Sequence, residues 1–233
     1  MRWTDWKPFY WRIVREMGYS VEADRKAARV LYSLLLRNDK YLLKEEINEL
    51  IAEKVYVFGA GPSLGGVLER FDFVDGTLIA ADGATSALIE FGLIPDLIVT
   101  DLDGRIADIK FANRRGALLV VHAHGDNVDK ITSYVPVLSR ILGTTQTEPF
   151  DFIYNFGGFT DGDRAVFLSE ELGAREIVLV GFDFGEIVGR WSKPYLRCNS
   201  PVWETKKKKF ALARELLRWL EKNGRAKITY LKT

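Results

Sequence analysis

The sequence predicts an α/β protein: a doubly wound, mainly parallel, Rossmann-like sheet with an N-terminal helical cap. Two observations predict this fold. From residue 54 onward, short apolar runs alternate with amphipathic segments, which is the pattern of repeated strand–helix–strand units. Several of these runs end in glycine or aspartate, as strands do at the sheet edge where α/β proteins bind ligands. We expect a helical cap over residues 1–52 and a Rossmann-like domain over residues 53–233.

The composition of the chain argues against several classes of protein. The chain has 233 residues, and 33 Lys and Arg against 32 Asp and Glu give a net charge of +1, so no overall field favours nucleic acid or a membrane surface. Cys198 is the one cysteine, which excludes an internal disulfide and a multi-cysteine zinc site. No apolar run approaches the roughly 20 residues of a transmembrane helix, and the aromatic, charged N-terminus does not resemble a signal peptide. We expect a cytoplasmic protein that binds neither nucleic acid nor membrane.

The first part of the chain lacks the strand pattern and predicts helices. Residues 3–17 are rich in aromatic side chains, and residues 21–36 carry apolar residues at helical spacing behind Ser20, a suitable N-cap. A further helix is expected from Lys40. One interpretation is a cap on the α/β core. The other is that its tryptophans wall a planar ligand or a partner subunit in a homo-oligomer.

The remaining elements follow from the alternation. Apolar runs predict strands at residues 55–58, 78–81, 97–100, 118–121, 152–154, 177–180 and 228–231. Amphipathic segments predict helices at residues 63–70, 84–91, 105–114, 161–172 and 204–222. Loops are expected at residues 144–149 and 186–202. The lysine run 206–209 is expected to form a solvated helix face.

A glycine-rich turn joins the first predicted strand to a helix. Its residues are Gly59, Gly61, Pro62 and Ser63. Glycines let a backbone approach phosphate closely, and a helix N-terminus offers free N–H groups. Asp82 lies at about the spacing of a ribose-binding acid in a dinucleotide fingerprint. The alternative is a tight turn without a ligand, and the Lys and Thr of a Walker loop are missing.

Acidic residues follow the next two predicted strands. Asp82, followed by Gly83, ends one strand, and Asp101 and Asp103 end the other. Alternate residues of an extended segment point the same way, so both carboxylates of the pair can reach one ion. Close like charges repel unless a cation lies between them, which favours a magnesium site. The alternative for Asp82 is a helix N-cap.

The only histidines lie at the end of the fourth predicted strand. His122 and His124 precede Asp126. A single cysteine and no further histidine argue against a zinc site. Hydrogen bonding to phosphate or to metal-bound water is the functional interpretation. The alternative is polar residues that satisfy a loop.

A second glycine turn precedes the helix predicted at residues 161–172. Gly157 and Gly158 before a helix N-terminus suggest a second anion-binding cradle, with Asp161 and Asp163 in the first turn. Thr160 followed by Asp163 is close to a capping box, so a structural role explains this pair equally well.

A further acid follows the strand predicted at residues 177–180. Asp183 lies between two phenylalanines, a setting that suits hydrogen bonding beside a flat heterocycle. The basic loop after it, residues 186–202, is expected to close over phosphates.

Taken in this order, the motifs resemble those of the archaeal 6-hydroxymethyl-7,8-dihydropterin pyrophosphokinase (MptE-like) family. The resemblance covers about residues 54–233. The acidic part, from Asp82 to Asp103, is also similar to that of the thiamin pyrophosphokinases. Their second acidic block and thiamin-binding tail are not recognisable, which argues against thiamin as the substrate. The first glycine turn is shared with flagellin-modifying, glycosyltransferase-like proteins and cannot by itself distinguish these families.

The resemblance implies a Mg²⁺-dependent transfer of diphosphate from ATP to 6-hydroxymethyl-7,8-dihydropterin in tetrahydromethanopterin-type biosynthesis, with release of AMP. It implies metal binding by Asp82, Asp101 and Asp103, and a catalytic role for the last two with Asp126. The glycine turns, the histidines, Asp161, Asp163 and Asp183 are then expected to contact ATP or pterin. The alternatives are a thiamin pyrophosphokinase-like enzyme, a nicotinamide or methyl-donor enzyme with Asp82 on the ribose, and a nucleotide-binding interaction module.

Overall fold

A computed structural model describes residues 1–232 and confirms the α/β fold class. The helices are α1 (Trp3–Met17), α2 (Val21–Asn38), α3 (Lys44–Asn48), α4 (Leu64–Leu68), α5 (Ala84–Glu90), α6 (Ile106–Arg114), α7 (Val128–Tyr134), α8 (Asp161–Glu171) and α9 (Glu204–Asn223). The strands are β1 (Lys54–Phe58), β2 (Thr77–Ala81), β3 (Leu97–Thr100), β4 (Leu118–Ala123), β5 (Ile141–Thr145), β6 (Ile153–Tyr154), β7 (Glu176–Val180), β8 (Ile187–Val188), β9 (Ser200–Pro201) and β10 (Lys227–Leu231). Over residues 1–232, no helix is long and apolar enough to cross a membrane.

The main sheet is doubly wound, as predicted. Its order is β10-β7-β1-β2-β3-β4-β5-β6, and every neighbouring pair is parallel. The chain starts at β1, builds outward through β6, and then returns to the other side of β1 with β7 and β10. The direction of winding therefore changes between β1 and β7. Crevices at such a switch point, outside the carboxyl ends of the strands, are where open α/β sheets bind ligands.

The N-terminal helices pack on both faces of this sheet. Leu31 and Leu35 of α2 are fully buried in the core on one face, and Trp6 of α1 is buried in the core on the other. The hydroxyl of Ser20 accepts a hydrogen bond from Ala23 N at 3.2 Å, so the predicted N-cap of α2 is confirmed. The helix expected from Lys40 starts only at α3, because the intervening chain pairs with the start of β5. The division of residues 1–52 as a separate cap stays a prediction.

The prediction of a loop at residues 144–149 is wrong for its first residues, because β5 extends through Thr145. Threonine hydroxyls are satisfied inside the sheet: Thr144 Oγ1 donates to Val121 O at 3.2 Å. This strand and α7 were both absent from the predicted elements. The region expected as a loop at residues 186–202 holds the antiparallel pair β8–β9, which we call the hairpin.

Candidate active site

A cleft opens at the switch point, between the carboxyl ends of the central strands, the hairpin and the start of α9. Nine of the sequence-predicted site residues line it: Gly59, Gly61, Pro62, Asp82, Gly83, Asp101, Asp103, Asp161 and Asp183. The other predicted residues lie outside its lining: Ser63, His122, His124, Asp126, Gly157, Gly158 and Asp163. The wall also includes four cations and four phenylalanines: Arg164, Lys193, Lys206, Lys209, Phe159, Phe182, Phe184 and Phe210.

Three carboxylates converge at the ends of β2 and β3. Oxygens of Asp82, Asp101 and Asp103 all lie within 4.8 Å of one another. The sequence predicts Asp101 and Asp103 on one side of an extended segment, but Leu102 between them has a left-handed φ of 65°. A turn brings them together instead. Thr100 Oγ1 stabilises this turn by accepting from Leu102 N at 2.8 Å, and it donates to Asp82 Oδ1.

The three acids differ in protonation because their surroundings differ. Burial and the charges of Asp101 and Asp103 raise the pKa of Asp82 to about 8. Burial also opposes ionisation of Asp101, but the hydrogen bond and charge of His124, together with Lys193, hold its pKa well below the usual range. Asp103 forms an ion pair with Lys193. Near pH 7, Asp82 is therefore mostly protonated, whereas Asp101 is ionised.

The donor set fits a hard divalent cation. It consists of carboxylate oxygens alone, from side chains that are buried or half-buried and close enough to share one ion. Magnesium prefers such oxygen ligands and commonly bridges from one or two carboxylates to substrate phosphates. The described residues place no sulfur or imidazole ligand in this cluster, so the set does not resemble a zinc site.

The end of β4 holds Asp101 in place. His124 Nε2 lies 3.3 Å from Asp101 Oδ2, and His124 N donates to the Oδ1 of Asn127 at 3.0 Å. The buried Asn127 amide donates to the backbone carbonyls of Asp101 at 2.9 Å and His122 at 2.7 Å. Asn127 thus joins the ends of two strands, a role that nothing in the sequence marked. Asp126 is exposed beside this loop, and its catalytic role stays a prediction.

Backbone N–H groups of the first glycine turn donate hydrogen bonds to other residues of the protein. Gly59 N donates to Val180 O at 2.8 Å and Gly61 N to Gly181 O at 3.0 Å. Both the amide and the hydroxyl of Ser63 donate to Asp183 Oδ2 at 3.0 Å. A Cβ on Gly61 would lie 2.2 Å from that same oxygen, so only glycine permits this close packing. The turn joins the ends of β1 and β7 into the cleft floor, and direct phosphate binding by its N–H groups stays a prediction.

The second glycine turn contains the capping box that the sequence allowed. Asp163 is fully buried, and its carboxylate accepts from Phe159 N at 2.6 Å and Thr160 N at 2.8 Å, as well as from the Thr160 hydroxyl. These contacts start α8 and leave Asp163 outside the cleft. Its neighbour Asp161 faces the cleft, where burial and the charges of Asp101 and Asp82 raise its pKa well above the usual value.

The lysine run 206–209 is only partly a solvated face. Lys206 and Lys209 line the cleft, while Lys207 and Lys208 are exposed. Residues three apart lie on the same side of a helix. Lys206 and Lys209 therefore share one side of α9, and that side faces the cleft. Burial and the charges of Lys193 and Lys209 lower the pKa of Lys206 to about 8. This crowding of positive charge is what a polyanionic ligand would neutralise.

The segment that joins the two strands of the hairpin places one cationic side chain in the cleft, and contacts of Trp191 fix this segment. Trp191 Nε1 donates to Glu90 Oε2 at 3.0 Å. A Cβ on Gly83 would lie 2.0 Å from Trp191 O, so the hairpin backbone rests directly on this glycine. Lys193 follows and contacts Asp103. Lys193 of this segment lines the cleft, and closure of the basic loop over phosphates stays a prediction.

Comparisons with known proteins agree on one family. The family model described as "6-hydroxymethylpterin diphosphokinase MptE-like" matches residues 33–189. A Pyrococcus furiosus protein named 6-hydroxymethyl-7,8-dihydropterin pyrophosphokinase is 64% identical over 228 residues, covering 98% of each chain. A Methanothermobacter thermautotrophicus protein of the same name is 47% identical over 226 residues, covering 96% of this chain and 97% of that one.

A solved structure shares the fold at low sequence identity. The MAf glycosyltransferase from Magnetospirillum magneticum AMB-1 superimposes with a TM-score of 0.53 and 15% identity. The match covers 94% of this chain and 40% of that chain. At this level of identity the likeness concerns the fold alone.

Proposed function

This chain belongs to the MptE-like 6-hydroxymethylpterin diphosphokinase family, and from that premise we propose that it transfers diphosphate from ATP to 6-hydroxymethyl-7,8-dihydropterin. It is an enzyme, a diphosphotransferase. The observation that carries the proposal is the cluster of Asp82, Asp101 and Asp103 inside a cleft whose other charged residues include four cations. We assign the product to pterin biosynthesis of the tetrahydromethanopterin type.

In the proposed reaction the hydroxymethyl oxygen of the pterin attacks the β-phosphorus of ATP. A new O–P bond forms there, and the bond from the β-phosphorus to the oxygen that bridges it to the α-phosphate breaks. That oxygen keeps the electron pair and leaves as part of AMP, while the hydroxyl proton is released to solvent. Such transfers depend chiefly on positioning and on neutralising phosphate charge.

Asp82, Asp101 and Asp103 would hold Mg²⁺, whose charge would neutralise the phosphates and fix their orientation. His124 keeps Asp101 ionised and oriented for this task. Because Asp82 is hydrogen-bonded by Thr100, its carboxylate is already turned toward the other two acids.

Cationic and aromatic side chains line the rest of the cleft. Lys193, Lys206 and Lys209 supply positive charge for the triphosphate and for the transferred diphosphate. Phe182 and Phe184 flank Asp183 in the sequence, and all three residues line the cleft. Two aromatic rings beside a carboxylate suit a flat heterocycle with polar edges. We assign Asp161 and Asp183 to contacts with ribose or pterin, and the exposed Asp126 to orientation of the attacking hydroxyl.

A product assay tests the proposal. Purified protein is incubated with ATP, Mg²⁺ and reduced 6-hydroxymethylpterin, and AMP is quantified. We expect AMP and pterin diphosphate in equal amounts, and no AMP in the presence of EDTA. Thiamin runs in parallel, and AMP with thiamin alone would transfer the assignment to the alternative acceptor. The absence of AMP with both acceptors would refute the diphosphotransferase assignment.

Metal binding should release a proton from Asp82. Since its pKa is about 8 without metal, this acid is protonated at pH 7 and must ionise when a cation binds. We expect calorimetry with Mn²⁺ at pH 7, in buffers of different ionisation enthalpy, to report close to one proton released per ion. Metal affinity should rise about tenfold per pH unit from pH 6 to 8 and then level off.

The matched control for this experiment is Asp82→Asn, which removes the titrating group and keeps the shape of the side chain. We expect the variant to bind Mn²⁺ more weakly and to release about one proton fewer per ion at pH 7 than the wild type. If the wild-type protein bound the ion with no proton release, Asp82 would be ionised beforehand, contrary to the effect of its surroundings.

A further inference from the structure

Arg164 borders two spaces at once. On one side it lines the cleft, and on the other it lines a cavity of about 10 Å³ that also contacts His122 and Thr144. The residue is buried, with 8% of its surface exposed. Its guanidinium nitrogens contact Asp161 Oδ1 and Gln146 Oε1 at 3.4 and 3.3 Å. Asp161 lies on the same helix as Arg164, and Gln146 follows β5, so contacts from two elements orient the planar guanidinium.

Gln146 is itself fixed from the N-terminal helices. Its Nε2 donates to Asp24 Oδ2 at 2.8 Å, and its backbone carbonyl accepts from Trp6 Nε1 at 2.9 Å. Because the amide NH₂ faces the carboxylate of Asp24, the amide oxygen necessarily faces Arg164. Asp24 is buried and also accepts from the Tyr10 hydroxyl at 2.8 Å. The chain of contacts therefore runs from α1 and α2 through Gln146 to the guanidinium.

His122 lines the cavity that Arg164 also borders. Thr144 Oγ1 donates its proton to Val121 O, so it accepts from His122 Nδ1 at 3.2 Å. This tautomer leaves His122 Nε2 as an acceptor. Nε2 and Arg164 Nε are both buried, and neither has a hydrogen-bond partner within residues 1–232. Both residues border the same small cavity, whose wall also includes the apolar side chains of Val99, Val120 and Phe156.

We propose that Arg164 contacts the transferred diphosphate in the transition state, and that Gln146 and Asp24 are positioning residues that hold its guanidinium toward the cleft. The inference rests on the proposed function. A rigid guanidinium, aimed beforehand, stabilises developing phosphate charge without reorganisation during the reaction. It also gives the N-terminal helices a role in catalysis, since they fix Gln146.

The test is a mutant cycle on the AMP-forming reaction. We expect Arg164→Ala to lower kcat about 1,000-fold, the size found for arginines that act on transferring phosphoryl groups, with KM for ATP nearly unchanged. Gln146→Ala should lower kcat about tenfold in the wild-type background by misorienting the guanidinium. In the Arg164→Ala background it should have no further effect, because the group that it positions is gone.

Two further measurements separate this role from a loss of folding. Guanidinium chloride at millimolar concentration should restore part of the rate of Arg164→Ala, whereas Arg164→Lys should keep the KM for ATP but recover only part of kcat, because a lysine lacks the planar fork. The control is Arg175→Gln, an exposed arginine paired with Glu53 outside the cleft, which should leave kcat unchanged.

Several results would overturn the proposal. These are a kcat of Arg164→Ala within about threefold of wild type, a loss confined to KM, no rescue by guanidinium, or an undiminished effect of Gln146→Ala in the Arg164→Ala background. Turnover by the wild-type protein is established first. If the wild type forms no AMP, the proposed function fails, whereas an active wild type with an active Arg164→Ala variant removes only the role of this arginine.

Discussion

Replacing Asp101 with asparagine is expected to reduce kcat by at least about 1,000-fold, equivalent to about 4 kcal/mol of transition-state stabilisation. The substitution keeps the shape of the side chain but removes the one acid of the cluster whose pKa is held low by its surroundings. A neutral amide is a weak ligand for Mg²⁺ and leaves the phosphate charge poorly balanced. The measurement is AMP formation under saturating ATP and pterin.

The fold should survive this change, because asparagine keeps the shape of the side chain and an oxygen that can accept from Asp103 N. We expect a somewhat lower denaturation midpoint at pH 7, because the low pKa of Asp101 means that the fold stabilises its ionised form. Asp129→Asn is the matched control, since Asp129 is exposed in the first turn of α7 and remote from the cleft lining. Its rate should equal that of the wild type. A near-normal rate for Asp101→Asn would remove this residue from the mechanism.

Replacing Asp163 with alanine is expected to lower the free energy of unfolding by about 3 kcal/mol. Its buried carboxylate satisfies the amides of Phe159 and Thr160 at the start of α8, and alanine would leave both of these N–H groups without that partner. Burial raises the pKa of Asp163, yet the hydrogen bonds from Thr160 and Phe159 oppose that shift. Urea denaturation of the two proteins measures the difference.

Asp129→Ala is again the control for this experiment, because it removes a first-turn acid that is exposed, and we expect a change within about 0.5 kcal/mol. Asp163→Asn, which keeps one acceptor oxygen, should fall between the wild type and Asp163→Ala. Equal stability of Asp163→Ala and wild type would mean that the capping box contributes little to the fold.

Local sequence signals were sufficient for most strands of the sheet and for the acidic cluster. The alternation of apolar runs and amphipathic segments depends on neighbouring residues only, and it located β1, β2, β3 and β7 to within one residue at each end. Because strands of a parallel sheet all end at one edge, acids that follow β2 and β3 had to meet there. Asp82, Asp101 and Asp103 could therefore be grouped from the sequence alone.

Two local signals misled the interpretation. The strand β5 was missed because its second half, Gly143 to Thr145, is small and polar and resembles a loop. The lysine run 206–209 was assigned wholly to solvent, since charge usually marks an exposed face. Its actual surroundings are set by the packing of α9 beside the cleft, where Lys206 and Lys209 face inward.

The sequence by itself determined the order of the strands along the chain, the ligand-binding edge and the acids that lie on it, because each follows from patterns a few residues long. Only the tertiary structure decided which cations face those acids and what holds them. Asp24 meets Gln146 across 122 residues of sequence, and Lys193 meets Asp103 across 90. Such contacts arise when distant segments pack together, and no spacing rule within one segment encodes them.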